Sequence, residues 1–143
     1  MPFSLSQRSK DRLRGVHPKL VAVVERAIQI TEVDFVVTEG LRTPKRQAEL
    51  VAAGASKTMR SRHLTGHAVD LAALVGKDVR WDWSLYLKIA EAMRAASIEL
   101  GTPIRWGGSW KELADMPSPI TSAMLSRTFP DGPHFELPAR AFP

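Results

Sequence analysis

Apolar residues recur every three or four positions in the first part of the chain, which is the spacing of one face of a helix. A short helix is predicted to begin after Ser6, a residue type suited to the N-cap, and to reach about Leu13. A second is predicted to begin at Pro18, because proline fits the first position of a helix, and to reach about Ile30. The apolar face of this second helix comprises Leu20, Val24, Ala27 and Ile28.

Two later helices are also predicted, from the spacing of apolar residues and from the proline and glycine residues that mark helix ends. One begins at Pro44 and runs to about Ala53, with Gly54 as its stop signal. The other is longer and ends at Gly101. Its apolar face is formed by Leu85, Ile89, Met93, Ala96 and Leu100.

Short apolar runs rich in β-branched and aromatic residues predict the strands. They cover residues 34–38, 67–75, 104–110 and 133–137. The polar stretch 54–62 predicts a loop, and Gly76-Lys77-Asp78 predicts a turn. Helices and strands are mixed without a regular βαβ alternation, so we expect an α+β fold with a small, mostly antiparallel sheet flanked by helices.

Composition narrows the class of protein. The 143 residues suit one domain, and no cysteine is present, so any metal must be held by histidines and carboxylates. The net charge of +5 favours polyanionic partners such as nucleic acid, anionic lipid or an anionic cell wall. We do not expect nucleic acid as the partner, because the chain has no recognisable binding motif and no tight basic stripe.

The N-terminal residues include basic side chains but no apolar run of the length found in a secretory signal. No segment approaches the roughly 20 apolar residues that span a bilayer. We therefore expect synthesis in the cytoplasm without a signal peptide, no stable membrane insertion, and a monomeric protein.

Three of the four histidines fall in two polar clusters, residues 61–70 (SRHLTGHAVD) and 131–136 (DGPHFE). A catalytic zinc ion takes about three protein ligands and keeps one position open for water. His63, Asp70 and His134 supply such a set from two distant segments.

The residue three positions before His134 is Asp131, which can be brought over the same metal as a general acid and base. In an extended segment 67–75 the side chains of His67 and Asp70 point to opposite faces, so His67 is expected outside the ligand set. Two alternatives remain open. His63 and His67 form a rival HxxxH pair if that segment is helical, or the histidines are hydrogen-bonded structural residues without a metal.

The two clusters fit the patterns SxHxxGxAxD and DxxH, in that order. Together they resemble the family of zinc D-alanyl-D-alanine carboxypeptidases and L-alanyl-D-glutamate endopeptidases, which includes VanY-type enzymes. Segment 38–43 (TEGLRT) resembles the family's strand followed by an arginine, and segment 105–110 (RWGGSW) resembles its strand with glycine and tryptophan. The resemblance is closest to single-domain phage endolysins. It implies a fold like that of the D,D-peptidases and the hedgehog signalling domain.

The resemblance also implies roles for individual residues. His63, Asp70 and His134 fall on the family's Zn²⁺ ligands, and Asp131 falls on its general acid/base. Arg42 falls on the arginine that binds the substrate and stabilises the oxyanion, for which a permanently charged fork of donors is well suited.

Three neighbouring residues are considered for supporting roles. Ser61 is expected to support a ligand histidine. Glu136 either orients His134 or lies on the surface. Ser109 stands where some relatives carry an acidic residue, which leaves open whether a second cation regulates activity.

The resemblance implies zinc-dependent hydrolysis of a peptide bond in the peptidoglycan stem peptide. We expect L-alanyl-D-glutamate endopeptidase activity of a phage endolysin, from one peptidase domain over residues 1–143 without a separate cell-wall-binding domain. Such an enzyme would act on the wall, in the periplasm, after the membrane is permeabilised. D-Ala-D-Ala carboxypeptidase activity is the enzymatic alternative, and a non-catalytic zinc-bearing binding module is the alternative of another class.

Overall fold

The computed structural model describes residues 2–56 and 58–143 of the chain. The described helices are α1 Gln7–Arg12, α2 Pro18–Ile30, α3 Pro44–Ala52 and α4 Trp83–Leu100. The described strands are β1 Phe35–Glu39, β2 Ala68–Val75, β3 Asp78–Arg80, β4 Arg105–Trp106, β5 Lys111–Glu112 and β6 His134–Glu136. The predicted α+β class is confirmed.

The strands form one sheet in the order β1-β2-β6-β4-β5, and β3 pairs with the C-terminal end of β2. Every one of these pairs is antiparallel. The register sets Asp70 of β2 directly opposite His134 of β6. Because directly opposed side chains lie on the same face of a sheet, this pairing brings two predicted ligands together.

The central strand β2 has different surroundings on its two faces. Val69, Leu71 and Ala73 alternate into the main hydrophobic core, as the period of two in a strand requires. Helices α2 and α4 contribute Val24, Ile89 and other apolar side chains to the same core. Asp70 belongs to the opposite set of positions, so the site lies on the face of the sheet turned away from these two helices.

The helix ends follow the sequence signals closely. The Ser6 hydroxyl accepts a hydrogen bond from the Ser9 backbone N–H at the start of α1, and the Thr43 hydroxyl accepts one from Arg46 N–H at the start of α3. Helix α4 begins at Trp83 and ends where Gly101 was predicted to stop it. Within the described residues, none of the helices is both long and apolar enough to cross a bilayer.

The predicted strands differ from the structure in two places. The strand predicted over residues 104–110 is wrong for most of its length, because the chain turns after Trp106 and returns as β5. Gly107 and Gly108 allow this reversal, and Trp110 adopts the left-handed conformation with φ 55°. The short strand β3 was not predicted. It forms from the residues that follow the predicted turn at Gly76 and extends a hairpin from β2.

Candidate metal centre and active site

His63, Asp70 and His134 converge at one point on the sheet. Asp70 and His134 are cross-strand partners, and His63 lies on a 3₁₀ turn, Arg62–Thr65, just before β2. Gly66 ends that turn with φ 74°, which lets the chain reverse sharply into β2. One side-chain atom from each of the three residues lies within 4.8 Å of the others. The sequence therefore selected three residues that the structure brings together.

The convergent atoms fit a divalent cation. Asp70 Oδ1 lies 3.3 Å from His63 Nε2 and 3.4 Å from His134 Nδ1, and it is buried without a hydrogen-bond partner. A buried carboxylate oxygen without a donor is unusual in a folded protein. Two imidazole nitrogens and one carboxylate oxygen are a ligand set that catalytic zinc sites use.

His67 lies outside this cluster. Its Nδ1 is 2.6 Å from the Thr65 hydroxyl, and its ring lies 5.7 Å from that of His17, the residue that precedes α2. Residues 62–65 form a single 3₁₀ turn that Gly66 ends, not an α-helix that would place His63 and His67 on one face, so the rival HxxxH pair is not formed.

Each of the two candidate ligand histidines has its second ring nitrogen held by the protein. His63 Nδ1 lies 2.9 Å from the Gly40 carbonyl oxygen, and His134 Nε2 lies 2.8 Å from Glu136 Oε1. Such contacts fix the tautomer and orientation of a metal-binding imidazole. Glu136 is buried, which answers the question of whether it is a surface residue. Ser61 contacts His63 differently, because its hydroxyl accepts from the backbone N–H rather than from the ring.

The charges of this cluster are strongly coupled. Burial raises the pKa of Asp70, but the imidazoles of His134 and His63 outweigh it and hold the pKa well below its usual range. Burial lowers the pKa of His134, but Asp70 and Glu136 outweigh it and raise the pKa to about 9. Without a metal, the cluster therefore retains a proton that a cation would have to displace.

Asp131 lies in the loop before β6 and lines the same cleft as the ligands. Burial raises the pKa of Asp131, and the negative charge of Asp70 raises it further, while nearby positive groups such as Arg42 offset part of the rise. A carboxylate with a raised pKa accepts a proton more readily near neutral pH. The position and the electrostatics both suit a general base.

The turn Gly107–Trp110 forms a cradle for the Asp131 loop. Gly107 N–H donates to the His134 carbonyl (2.8 Å), and Asp131 N–H donates to the Gly107 carbonyl (2.9 Å). The Trp106 indole N–H donates to the Gly132 carbonyl at 2.8 Å. A Cβ at Gly107 would collide with the Asp131 carbonyl oxygen and lie 3.0 Å from the Cβ atoms of Asp131 and His134. The glycine is therefore required by this close approach.

Arg42 is buried beside the ligands and is held by two residues that the sequence analysis missed. Its Nε and Nη2 donate to the Glu39 carboxylate at 2.7 and 2.8 Å, and its Nη1 donates to Gln47 Oε1 at 2.7 Å. Nη2 also lies 3.7 Å from Asp70 Oδ2. The sequence signal that could have identified Gln47 is its spacing from Leu50. Residues three positions apart share one face of a helix, so Gln47 is expected on the same face of α3 as this apolar residue.

Ser109 does not contribute to the cleft. It is buried, its hydroxyl donates to the Met116 sulfur at 3.2 Å, and it accepts from the Lys111 N–H at 3.2 Å. The side chain is thus engaged in holding its own turn.

A cleft of about 740 Å³ joins these residues. All five predicted site residues line it, namely Arg42, His63, Asp70, Asp131 and His134. Its rim includes Arg60, Arg105, Trp110 and Phe129. A cleft that holds a candidate cation site with a carboxylate beside it is an arrangement suited to metal-assisted hydrolysis.

The chain belongs to the phage L-alanyl-D-glutamate peptidase family, whose pattern matches residues 1–138. It is 31% identical over 141 residues to the L-alanyl-D-glutamate peptidase of Escherichia phage T5, covering 96% of this chain and 99% of that protein. It is 38% identical over 86 residues to the L-alanyl-D-glutamate peptidase of Listeria phage A118, covering 59% of this chain and 29% of that protein.

A solved structure is also similar. The crystal structure of the Serratia marcescens L-Ala D-Glu endopeptidase ChiX superposes with a TM-score of 0.81 at 46% sequence identity, covering 96% of this chain and 91% of that one. The predicted family is therefore confirmed for its L-alanyl-D-glutamate branch.

Proposed function

We propose that this chain is a zinc-dependent endopeptidase that cuts the bond between L-alanine and D-glutamate in the peptidoglycan stem peptide. The observation that carries the proposal is the convergence of His63, Asp70 and His134 around a buried, unpartnered carboxylate oxygen. The three relatives described above are all named for cleavage of this bond. The proposed unit is a single peptidase domain over residues 1–143.

Zinc held by the three ligands would supply a Lewis acid and lower the pKa of a bound water toward neutrality. The Asp131 carboxylate accepts the proton of the attacking water and later donates it to the leaving amine of D-glutamate. The C–N bond breaks, and L-alanine is left with a new carboxylate. Asp131 is suited to both steps because burial and Asp70 raise its pKa.

Arg42 supplies positive charge beside the carbonyl that is attacked. Its guanidinium is fixed by Glu39 and Gln47 and lies next to Asp70, so no rearrangement is needed when negative charge develops on the substrate oxygen. The fixed position of the Arg42 guanidinium, held by Glu39 and Gln47, supports a role in stabilising negative charge on the substrate.

The deciding experiment is digestion of purified peptidoglycan with analysis of the new chain ends. The proposal requires new C-terminal L-alanine and N-terminal D-glutamate, activity lost on chelation, and recovery with zinc. Release of free D-alanine instead would support the carboxypeptidase alternative. A zinc-loaded protein that cuts neither bond would support the binding-module alternative.

Asp131→Asn tests the acid/base assignment separately. We expect a loss of about 10²- to 10⁴-fold in kcat with zinc content unchanged. A folded, zinc-loaded Asp131→Asn protein that digests walls at the wild-type rate would remove Asp131 from the mechanism.

The proposed site of action is the cell wall after the membrane has been permeabilised. The net charge of +5 would favour approach to an anionic wall, and this attraction is screened by salt. Finding the native protein outside intact, unpermeabilised cells would contradict this part of the proposal.

A further inference from the structure

Two exposed tryptophans lie where β3 leads into α4, Trp81 on the short connection and Trp83 as the first residue of the helix. Trp81 is 58% exposed and Trp83 is 38% exposed. Their rings lie 6.2 and 6.1 Å from the ring of Tyr86, which is buried beneath them. We call Trp81 and Trp83 the indole platform. Exposed apolar surface of this size, concentrated in one place, marks a binding surface more often than isolated exposed side chains do.

The indole platform adjoins the catalytic loop. A Cβ at Gly132 would lie 2.9 Å from a ring carbon of Trp83 and 3.1 Å from the Tyr86 ring, and Gly132 directly follows Asp131. The Tyr86 hydroxyl is buried without a hydrogen-bond partner. Burial raises the pKa of Tyr86, and the carboxylates of Asp70 and Asp131 raise it further, so the tyrosine lies within the field of the catalytic centre. The platform therefore lies directly beside the loop that carries Asp131, outside the set of residues that line the cleft.

The chemistry of the proposed substrate indicates what this surface would meet. In peptidoglycan, the amino group of the stem L-alanine is joined to the lactyl group of N-acetylmuramic acid. One residue spans at most about 3.6 Å, so a bond cut on the carboxyl side of that L-alanine lies directly beside the saccharide. An enzyme that cuts at this position must accommodate the sugar next to its catalytic loop.

The indole platform has the properties that sugar binding requires. An indole ring offers a flat apolar face with partial negative charge, against which the C–H groups of a pyranose ring pack. Arg80 and Asp82 flank Trp81 at the surface and are paired at 2.7 Å, so both signs of charge are available to sugar hydroxyl and acetamido groups.

We propose that Trp81 and Trp83 bind the saccharide of the glycan strand, namely the N-acetylmuramic acid that carries the stem peptide, and thereby align its L-alanine with Asp131. This inference rests on the proposed function, because the position of the cut determines which part of the substrate lies beside the loop. It adds a glycan subsite to a site otherwise described only by its peptide chemistry.

The test compares two soluble substrates with the full chain loaded with zinc. One is a muramyl peptide, and the other is the same peptide with an acetyl group in place of the sugar. Trp81→Ala is expected to raise KM for the muramyl peptide about two- to tenfold, with KM for the acetyl peptide as the reference that stays constant. Trp81→Phe, which retains an aromatic face, is expected to recover part of the loss.

Ile98→Ala is the matched control. Ile98 is 50% exposed, and it lies near the far end of α4 from Trp83. The helix has 18 residues and is about 27 Å long, so this exposed apolar side chain is remote from the platform. We expect its replacement to change KM for neither substrate.

Titration of the tryptophan fluorescence with a muramyl disaccharide separates this inference from the proposed function. The wild-type protein could bind the saccharide, lose that binding in Trp81→Ala, and yet cut no stem peptide. That result would support saccharide binding by the indole platform and overturn the proposed activity. Cleavage at L-alanine with an unchanged KM for the muramyl peptide in both Trp81→Ala and Trp83→Ala would show that the indole platform does not bind the saccharide. An equal rise in KM on both substrates would also contradict saccharide binding, because that result indicates a structural role.

Discussion

His134 Nε2 lies 2.8 Å from Glu136 Oε1, and both side chains extend from the same face of β6. The contact occupies one ring nitrogen and leaves Nδ1 directed at Asp70. Arg105 lies 3.6 Å from the other carboxylate oxygen of Glu136, so the carboxylate is itself held in place. Glu136 thus selects which nitrogen of His134 is available to a metal.

Replacing Glu136 is therefore expected to weaken metal binding without removing a ligand. For Glu136→Gln we expect zinc affinity to fall about 10- to 100-fold, because His134 loses the charged partner that orients it. Competition with a chromophoric chelator measures the change. Glu32→Gln, which alters an exposed carboxylate paired with Lys88, serves as the control. Unchanged zinc affinity in Glu136→Gln would show that His134 is oriented by other contacts.

The protonation of His134 predicts opposite pH trends for the metal-free and the zinc-loaded protein. Its folded pKa of about 9 lies above the ordinary value of 6.5, so its contribution to stability is full below pH 6.5 and is lost as pH rises through 9. Zinc must displace this proton, so apparent zinc affinity rises over the same range. Thermal unfolding with and without chelator should show the stabilisation by zinc growing from pH 6.5 to 9. If the stabilisation by zinc instead decreased as the pH rises, the raised pKa of His134 would be contradicted.

Gln47 connects the guanidinium of Arg42 to the rim of the cleft. Its Oε1 accepts from Arg42, while its Nε2 donates to the Ser56 hydroxyl at 2.8 Å and to the Thr58 carbonyl. Gln47→Ala leaves these groups unpaired, so we expect a loss of about 1–3 kcal/mol in the free energy of unfolding and a lower kcat/KM.

Gln47→Glu separates the two ends of this connection. It keeps an acceptor for Arg42 but removes the donor to the rim, so KM should rise more than kcat falls. Denaturant unfolding and steady-state kinetics measure both effects, with the exposed Gln29→Ala as the control. Equal kinetics for Gln47→Ala and the wild type would show that the connection has no catalytic role.

Gly107→Ala tests the close contact between the turn Gly107–Trp110 and the loop that carries Asp131. The added methyl group collides with the backbone of Asp131, so the loop must move, and we expect a cost of about 1–3 kcal/mol in unfolding free energy. Activity should fall as well, because Asp131 and His134 are displaced together. Gly76→Ala, strained at φ 63° but with nothing within 4 Å of the new methyl group, should lose stability alone. Full activity in Gly107→Ala would mean that the loop tolerates the shift.

The ligand set could be predicted because its signals are local. Strand alternation separates His67 from Asp70, and the two short motifs keep their spacing whatever the rest of the chain does. The structure brings His63, Asp70 and His134 together as expected and leaves His67 aside. Their assignment as zinc ligands stays a prediction until a metal is measured.

The supporting residues could not be predicted, because their contacts depend on pairings between distant segments. The cradle exists only because Trp106 of β4 pairs with Phe135 of β6, which no local pattern encodes. The buried pairing of Arg42 with Glu39 similarly requires the sharp turn after β1. Apolar character in residues 104–110 indicated a long strand, whereas the chain turns at the pair of glycines within it and approaches the loop that carries Asp131.

The direct pairing of Asp70 with His134 has a consequence for local unfolding. A cation bound by Asp70 and His134 would link β2 to β6, and each opening of β6 would then have to release it. The helices α2 and α4 pack on the other face of β2 and contain none of the three ligands. Removing the cation should therefore appear first as fraying of the C-terminal strand, with faster amide exchange at His134 to Glu136, while the helical side of the molecule remains protected.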